Sequence, residues 1–326
     1  MRRVVKISRI DKDRLQRSPI APGTLLEQER KPTLGIVYMA VSCLLMSVSD
    51  VLVKLLTQDH SPGEIILFRG LLTVLLIVSV VKLRKQLHGM LRVVNPFNQI
   101  VRALLFALGT VSFVWALKHL PLAVATALTF LFPVFSAALA GPLLGERVGW
   151  SRWGAIALGF LGVLLITEPF GAHSWNSAMV LPMFTAFVIA CRDIVTRKMT
   201  MRESTSSMLL YGMCMSCVVG LILSPPGWRM PTALNCLMLV AIAILFLGTH
   251  YTAIQALKHA EISTLGPLQY STLIAAIAFG YIFWSDVPSL QMLAGFVVVA
   301  CSGIYVFVRE ARLGKRRTLT LGNPPT

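Results

Sequence analysis

The chain has 326 residues, of which 56% are hydrophobic and only 13% charged, and its mean hydropathy is +0.73. A soluble domain carries about a quarter charged residues, so composition excludes an ordinary soluble protein. The formal net charge of +16 would suit a nucleic-acid partner, but the basic residues sit in short clusters between apolar runs and form no continuous stripe. That pattern excludes nucleic acid and indicates a polytopic membrane protein.

Residues 1–33 are basic and polar and lack the apolar stretch of a removable signal peptide; they are expected to form a basic cytosolic tail. Apolar runs of membrane-crossing length follow at 34–56, 65–82, 98–118, 121–144 and 149–168, then at 176–196, 206–225, 232–257, 262–284 and 289–308. Breaks such as "SPGE", "NPFN", "EPFGAHS" and "SPPGW" punctuate them. Residues 309–326 form a second basic tail. With the amino terminus inside, 24 of the 30 Lys and Arg residues fall in cytosolic segments and only Lys118 and Arg229 outside. Lys54, Arg69, Arg102 and Arg192 lie within spans. This bias predicts ten spans with both termini cytosolic. Trp115, Trp150, Trp153 and Trp284 fall near span ends, where an indole suits the interface.

The six cysteines all lie in apolar runs. Cys214 and Cys217 form an isolated C-x-x-C with no second pair, so they are read as buried small side chains. No metal site and no cofactor is expected, and no P-loop is present.

"ALKH" occurs at Ala116 and again at Ala256, 140 residues apart, closing spans 3 and 8. That offset sets Thr129 against Gln269, Phe130 against Tyr270 and Glu146 against Asp286. Farther back, "SDVLVK" pairs with "RDIVTRK", placing Asp50 against Asp193. Two halves emerge, 34–168 and 176–308. Five spans per half is odd, so the halves must insert in opposite orientations, as in inverted-repeat transporters with a binding region near the midplane. The expected fold is therefore all-α, with ten transmembrane helices in two inverted five-helix repeats around a central cavity.

The stretches "SDVLVKLL", "LFRGLL", "ALKHLPLAVATALTFLFPVFSAALAGPLLGERVGW" and "GAIALGFLGVLLITEP" resemble the EamA family of the drug/metabolite transporter superfamily over about residues 33–308. The first half matches more closely. In the second, "SDVPSL" stands where the first has "GERVGW". The resemblance implies a ten-helix bundle that moves small metabolites across the bacterial inner membrane.

A charge inside a bilayer needs a partner or a cavity. Asp50 and Arg69 lie about 9 Å and about 6 Å below the outer ends of their spans, and Lys54 is one turn from Asp50. These three are read as an outer gate or substrate anchor, against the alternative of an ion pair locking spans 1 and 2. Arg192 and Asp193 take the matching place near the inner end of span 6, where interface and packing roles compete with a gating one. The richest polar set is His250, Tyr251 and Gln255 on span 8 with Gln269 and Tyr270 on span 9, expected to line the cavity. Trp115, Thr126 and Thr129 supply the first half's weaker share. His250 and Asp50 are the candidates for coupling to protons. Pro133 and Gly266-Pro267 interrupt spans 4 and 9, pointing to the binding region. Ala155, Gly159 and Gly162, with Gly295 and Gly303, make small-residue faces for close helix packing, or for association of a monomer into a homodimer.

These features give a secondary transporter for an amino acid-like, cofactor-like or nucleoside-derived metabolite. A drug or toxic-metabolite exporter of the same fold is the first alternative. A channel and an intramembrane enzyme are the alternatives from other classes; neither charge rings nor clustered His and acidic residues are present, and the chain is expected not to be an enzyme.

Overall fold

The computed structural model describes residues 32–83, 93–144, 150–167, 176–199, 204–224, 230–259, 265 and 267–322. These form eleven α-helices and no strand among the described residues: α1 (Pro32–Asp59), α2 (Pro62–Leu83), α3 (Pro96–His119), α4 (Leu122–Thr129), α5 (Phe132–Leu144), α6 (Trp150–Thr167), α7 (Val180–Met199), α8 (Thr205–Leu223), α9 (Ala233–His259), α10 (Ser271–Trp284) and α11 (Leu290–Gly322). Among the described residues, six helices are long and apolar enough to cross a membrane, and the stretches Leu122–Ser136, Ala157–Ile166, Leu268–Trp284 and Leu290–Tyr305 are shorter apolar helices. The protein is a multi-pass membrane protein. Helix α11 continues past the expected end of its apolar run at 308, into the basic segment.

Local chemistry sets the boundaries. The "SPGE" break is a capping box with proline at the first helical position: Glu64 N–H donates to Ser61 Oγ at 3.3 Å, and Ser61 N–H donates to Glu64 Oε2 at 3.2 Å. The same carboxylate accepts from His60 Nδ1 at 3.2 Å. His60 Nε2 in turn lies 2.9 Å from the Asn235 amide. With that amide donating, the imidazole proton goes to Glu64. All three side chains are buried, and the chain of bonds fixes the α1–α2 corner to the start of α9. Asn95 caps α3 by accepting from Asn98 N–H at 3.2 Å, and Ser204 caps α8 by accepting from Ser207 N–H at 3.1 Å.

Pro133 has no N–H to give to the Thr129 carbonyl, and the helix breaks one turn earlier, at Phe130 and Leu131, leaving α4 and α5 as separate pieces. At the second break, Pro267–Tyr270 forms a 3-10 turn ahead of α10; Gly266 lies outside the described residues, as do Glu146 and the side chains of Ala155, Trp150 and Trp153. Helices α4 and α10, each beside a break, pack against each other.

Helix pairing is α1 with α9, α3 with α7, α2 with α8 and α9, α3 with α8, and α6 with α11. Of the small-residue faces expected from the sequence, Gly162 of α6 and Gly295 of α11 meet inside this chain, while Gly303 faces Tyr270. A methyl group built on Gly295 would come within 2.7 Å of Ile166 Cγ1 and 2.8 Å of the Gly162 carbonyl oxygen. Backbones that close gain dispersion contacts that lipid cannot supply. Cys217 places its sulfur against Gly70 on α2. The expectation of burial fails for Cys214, which is exposed, as Cys236 and Cys301 also are, because a face turned to lipid accepts a cysteine as readily as a core does.

Overpacking a tight core costs about 1–3 kcal/mol. Gly295→Leu is expected to lower the thermal midpoint of the detergent-solubilised protein, whereas Gly154→Leu, where an added Cβ meets nothing within 4 Å, is expected to leave it unchanged. Thermal unfolding of the two variants measures the difference.

Candidate functional site

The charged residues inside the bundle divide into three stations. At one end, Lys54 of α1 reaches across to the α3–α4 corner and donates to the Leu120 carbonyl at 2.7 Å. Its ammonium lies 4.0 Å from Asp286 Oδ2 and 4.9 Å from the centre of the Trp284 ring. A cavity of about 390 Å³ opens beside it, lined also by Thr57, Gln58, Lys118 and His119. The partner of Lys54 is thus Asp286, not the neighbouring Asp50.

Asp50 and Arg69 form the second station. They face each other closely enough to interact electrostatically, though no oxygen–nitrogen contact falls within 4.0 Å. Both are enclosed by protein yet keep accessible surface, as residues lining an internal space do. Arg69 Nε is buried and makes no hydrogen bond. A buried donor left unpaired is costly, so this guanidinium is poised to receive an acceptor.

The third station joins α3, α7, α8 and α9. Arg102 is buried and donates to Thr196 Oγ1 at 3.1 Å and to the Met208 carbonyl at 2.7 Å. Arg192 pairs with its neighbour Asp193 at 2.9 Å and lies 6.0 Å from the Phe106 ring centre. His250 donates from Nδ1 to the Phe246 carbonyl at 2.9 Å and packs on the Phe246 ring, with centroids 4.1 Å apart. The charges of Arg192 and Arg102 both reach it. Two arginines, a carboxylate, an imidazole and two phenyl rings therefore share one region of the bundle, with the Arg192–Asp193 pair partly exposed.

The remaining sequence candidates are dispersed. Tyr251 is 51% exposed on the stripe of Leu237, Val240 and Ile244, which faces away from the bundle. Tyr270 is buried against Phe130, with ring centroids 4.7 Å apart, and its hydroxyl occupies the space a Cβ at Gly303 would take. Thr129 Oγ1 donates back to the Ala125 carbonyl at 2.9 Å. Thr126 Oγ1 is buried without a partner. Trp115, Gln255 and Gln269 are half-buried; the Trp115 carbonyl accepts from His119, and the Gln269 carbonyl accepts from Thr272. Phe106, Phe246 and Asp286 were not anticipated as site residues. The only sequence signal for Asp286 was its match to Glu146 across the 140-residue offset.

Residues 33–168 match the EamA-like transporter family. Over those residues the chain resembles that family. It is a transporter and not an enzyme. Similar along most of their length are the S-adenosylmethionine uptake transporter of Rickettsia conorii, 26% identical over 87% of this chain and 95% of that protein, and the pseudopaline exporter of Pseudomonas aeruginosa, 26% identical over 82% and 94%. The riboflavin transporter of Vibrio cholerae is 26% identical over 67% of this chain and 73% of its own. The fold also resembles one crystal structure at a TM-score of 0.55 and 16% identity, covering 86% of this chain and 96% of that one. The protein handles a small-molecule substrate in a membrane.

The two interior arginines differ in what they hold. Arg102 ties three helices through hydrogen bonds to a charged group, each worth about 1.5–3 kcal/mol, whereas Arg69 Nε holds nothing. Arg102→Ala is therefore expected to lower the thermal midpoint well below that of Arg69→Ala. Equal shifts in a parallel melt would remove this distinction.

Proposed function

We propose that this EamA-like chain is a secondary transporter that moves a small organic metabolite across the inner (plasma) membrane by alternating access. In this reading ten spans form two inverted five-helix repeats, 34–168 and 176–308, with both termini cytosolic. α4 and α5 together make span 4, and the 3-10 turn with α10 makes span 9. The helix pairing supports it. An inverted repeat relates span 1 to span 6 and span 3 to span 8, so the α1–α9 contact mirrors the α7–α3 contact. The α2–α9 contact mirrors α8–α3, and α1–α10 mirrors α7–α4. Phe130 and Tyr270, which the 140-residue offset matches, touch each other, as equivalents beside a two-fold axis would.

One observation carries the functional reading: Asp50, Arg69, Arg192, Asp193 and His250 lie inside the bundle and only partly buried. Charges that merely locked helices would be desolvated; these keep accessible surface, Arg192 and Asp193 even as a pair, and in this reading line a water-accessible path. Arg69 and Arg192 receive the substrate's acceptors, Phe106 and Phe246 pack on its apolar part, and His250 and Asp50 carry the coupling proton. The names of the relatives, for S-adenosylmethionine, riboflavin and pseudopaline, support a cofactor-like or amino acid-like metabolite. The uptake and export among those names accord with a fold that serves either direction.

Proteoliposomes test this by counterflow. Labelled S-adenosylmethionine or riboflavin is expected to accumulate transiently against an unlabelled internal pool, which neither a channel nor an enzyme produces. With an imposed proton gradient, stimulation of uptake is expected in the wild type and is lost in His250→Ala or Asp50→Asn. Stimulation retained in both variants removes these two residues from coupling.

A further inference from the structure

The Lys54 pocket has a chemistry that neither the fold nor the central stations explain. The ammonium of Lys54 has three donors. Among the described residues one acceptor, the Leu120 carbonyl, lies within hydrogen-bond distance. Asp286 stands off at 4.0 Å, and the Trp284 ring at 4.9 Å offers only its face. Lys54 is nonetheless 9% exposed. A buried ammonium held by a single hydrogen bond is under-satisfied, and its free donors border a cavity of about 390 Å³, within the usual size of small-molecule sites. The other charged or titratable walls are Lys118 and His119 from α3 and Asp286 from the segment after α10. Two lysines and an imidazole against one carboxylate favour an anion. Trp284, Leu117, Leu120 and Pro121 supply apolar surface for a body attached to that anion.

The contacts of Lys54 also join three elements at this end of the bundle. Through one ammonium, α1 is tied to the α3–α4 corner and to the end of α10. A ligand carboxylate on the free donors draws the ammonium toward the cavity and repels Asp286, so occupying the pocket loosens the tie.

We propose that this pocket is an entry site for a small carboxylate with an apolar body, and that the carboxylate releases the Lys54 latch by taking its ammonium. The proposal rests on the transporter reading for its purpose, and on the pocket alone for its chemistry.

The full-length protein with Thr57→Cys provides the test, because Thr57 lines the pocket and is buried under the latch. The rate of labelling at position 57 by a membrane-impermeant maleimide is followed by peptide mass in proteoliposomes, with the wild type as blank. The probes share a skeleton: 3-phenylpropionate, phenylalanine and phenethylamine. The two carboxylates are expected to raise the rate and the amine to leave it unchanged. Adding Lys54→Met is expected to raise the basal rate about tenfold, as loss of one charged hydrogen bond would, and to abolish the response to carboxylates. Lys54→Arg is expected to retain the response. An equal response to phenethylamine, no response to any probe, or an unchanged basal rate in Lys54→Met overturns the proposal. Labelling requires no transport: counterflow without a carboxylate response leaves the transporter reading standing and removes this site. A carboxylate response without counterflow does the reverse.

Discussion

Hydrocarbon offers no hydrogen bonds, so every charge inside the bundle must be held by protein or wetted by a cavity. The three stations answer this demand differently. Arg102 is held at two points, by a hydroxyl and a backbone carbonyl on two other helices. Lys54 is held at one point. Asp50 and Arg69 are near each other without direct contact. In the proposed reading, the gradient from satisfied to under-satisfied separates structural charge from charge available to a passing ligand.

The packing provides the second half of the argument. Stations that bind and release must sit between bodies that can move, and rigid contacts belong within those bodies. The α6–α11 seam, closed through Gly162 and Gly295, is a contact with no room for sliding. The α4 and α10 pieces instead meet beside broken helices, where Pro133 has no N–H to give to the Thr129 carbonyl. In the proposed reading the tight seam is a fixed edge and the broken spans lie near the path.

Much of this was legible in the sequence, for definite reasons. The length of apolar runs, the Lys and Arg distribution and the Pro133 and Pro267 breaks are local properties, and local rules read them. The small residues Gly162 and Gly295 declared a close contact. Partners across the bundle were not readable. Lys54 has Asp50 one turn away, yet its carboxylate is Asp286, 232 residues along the chain, and no spacing rule connects them. The faces of α9 were equally hidden: core and lipid are both apolar, so periodicity does not mark which side of the helix turns inward. That is why Tyr251 looked equivalent to His250 while one turns outward and the other packs on Phe246. "SPGE" was read as a break alone, although Ser61 followed three residues later by Glu64 is itself a capping signature.

The central claim is that the half-buried interior charges line an aqueous path open to one side at a time. Single cysteines at positions 50 and 250, labelled with a hydrophilic maleimide applied separately to each face of the membrane, test it most directly. Each position is expected to react from an aqueous face, and addition of a transported metabolite is expected to change the two rates in opposite directions. Two positions inert from both faces would mean that Asp50 and His250 belong to packed helix contacts, and the account would fail.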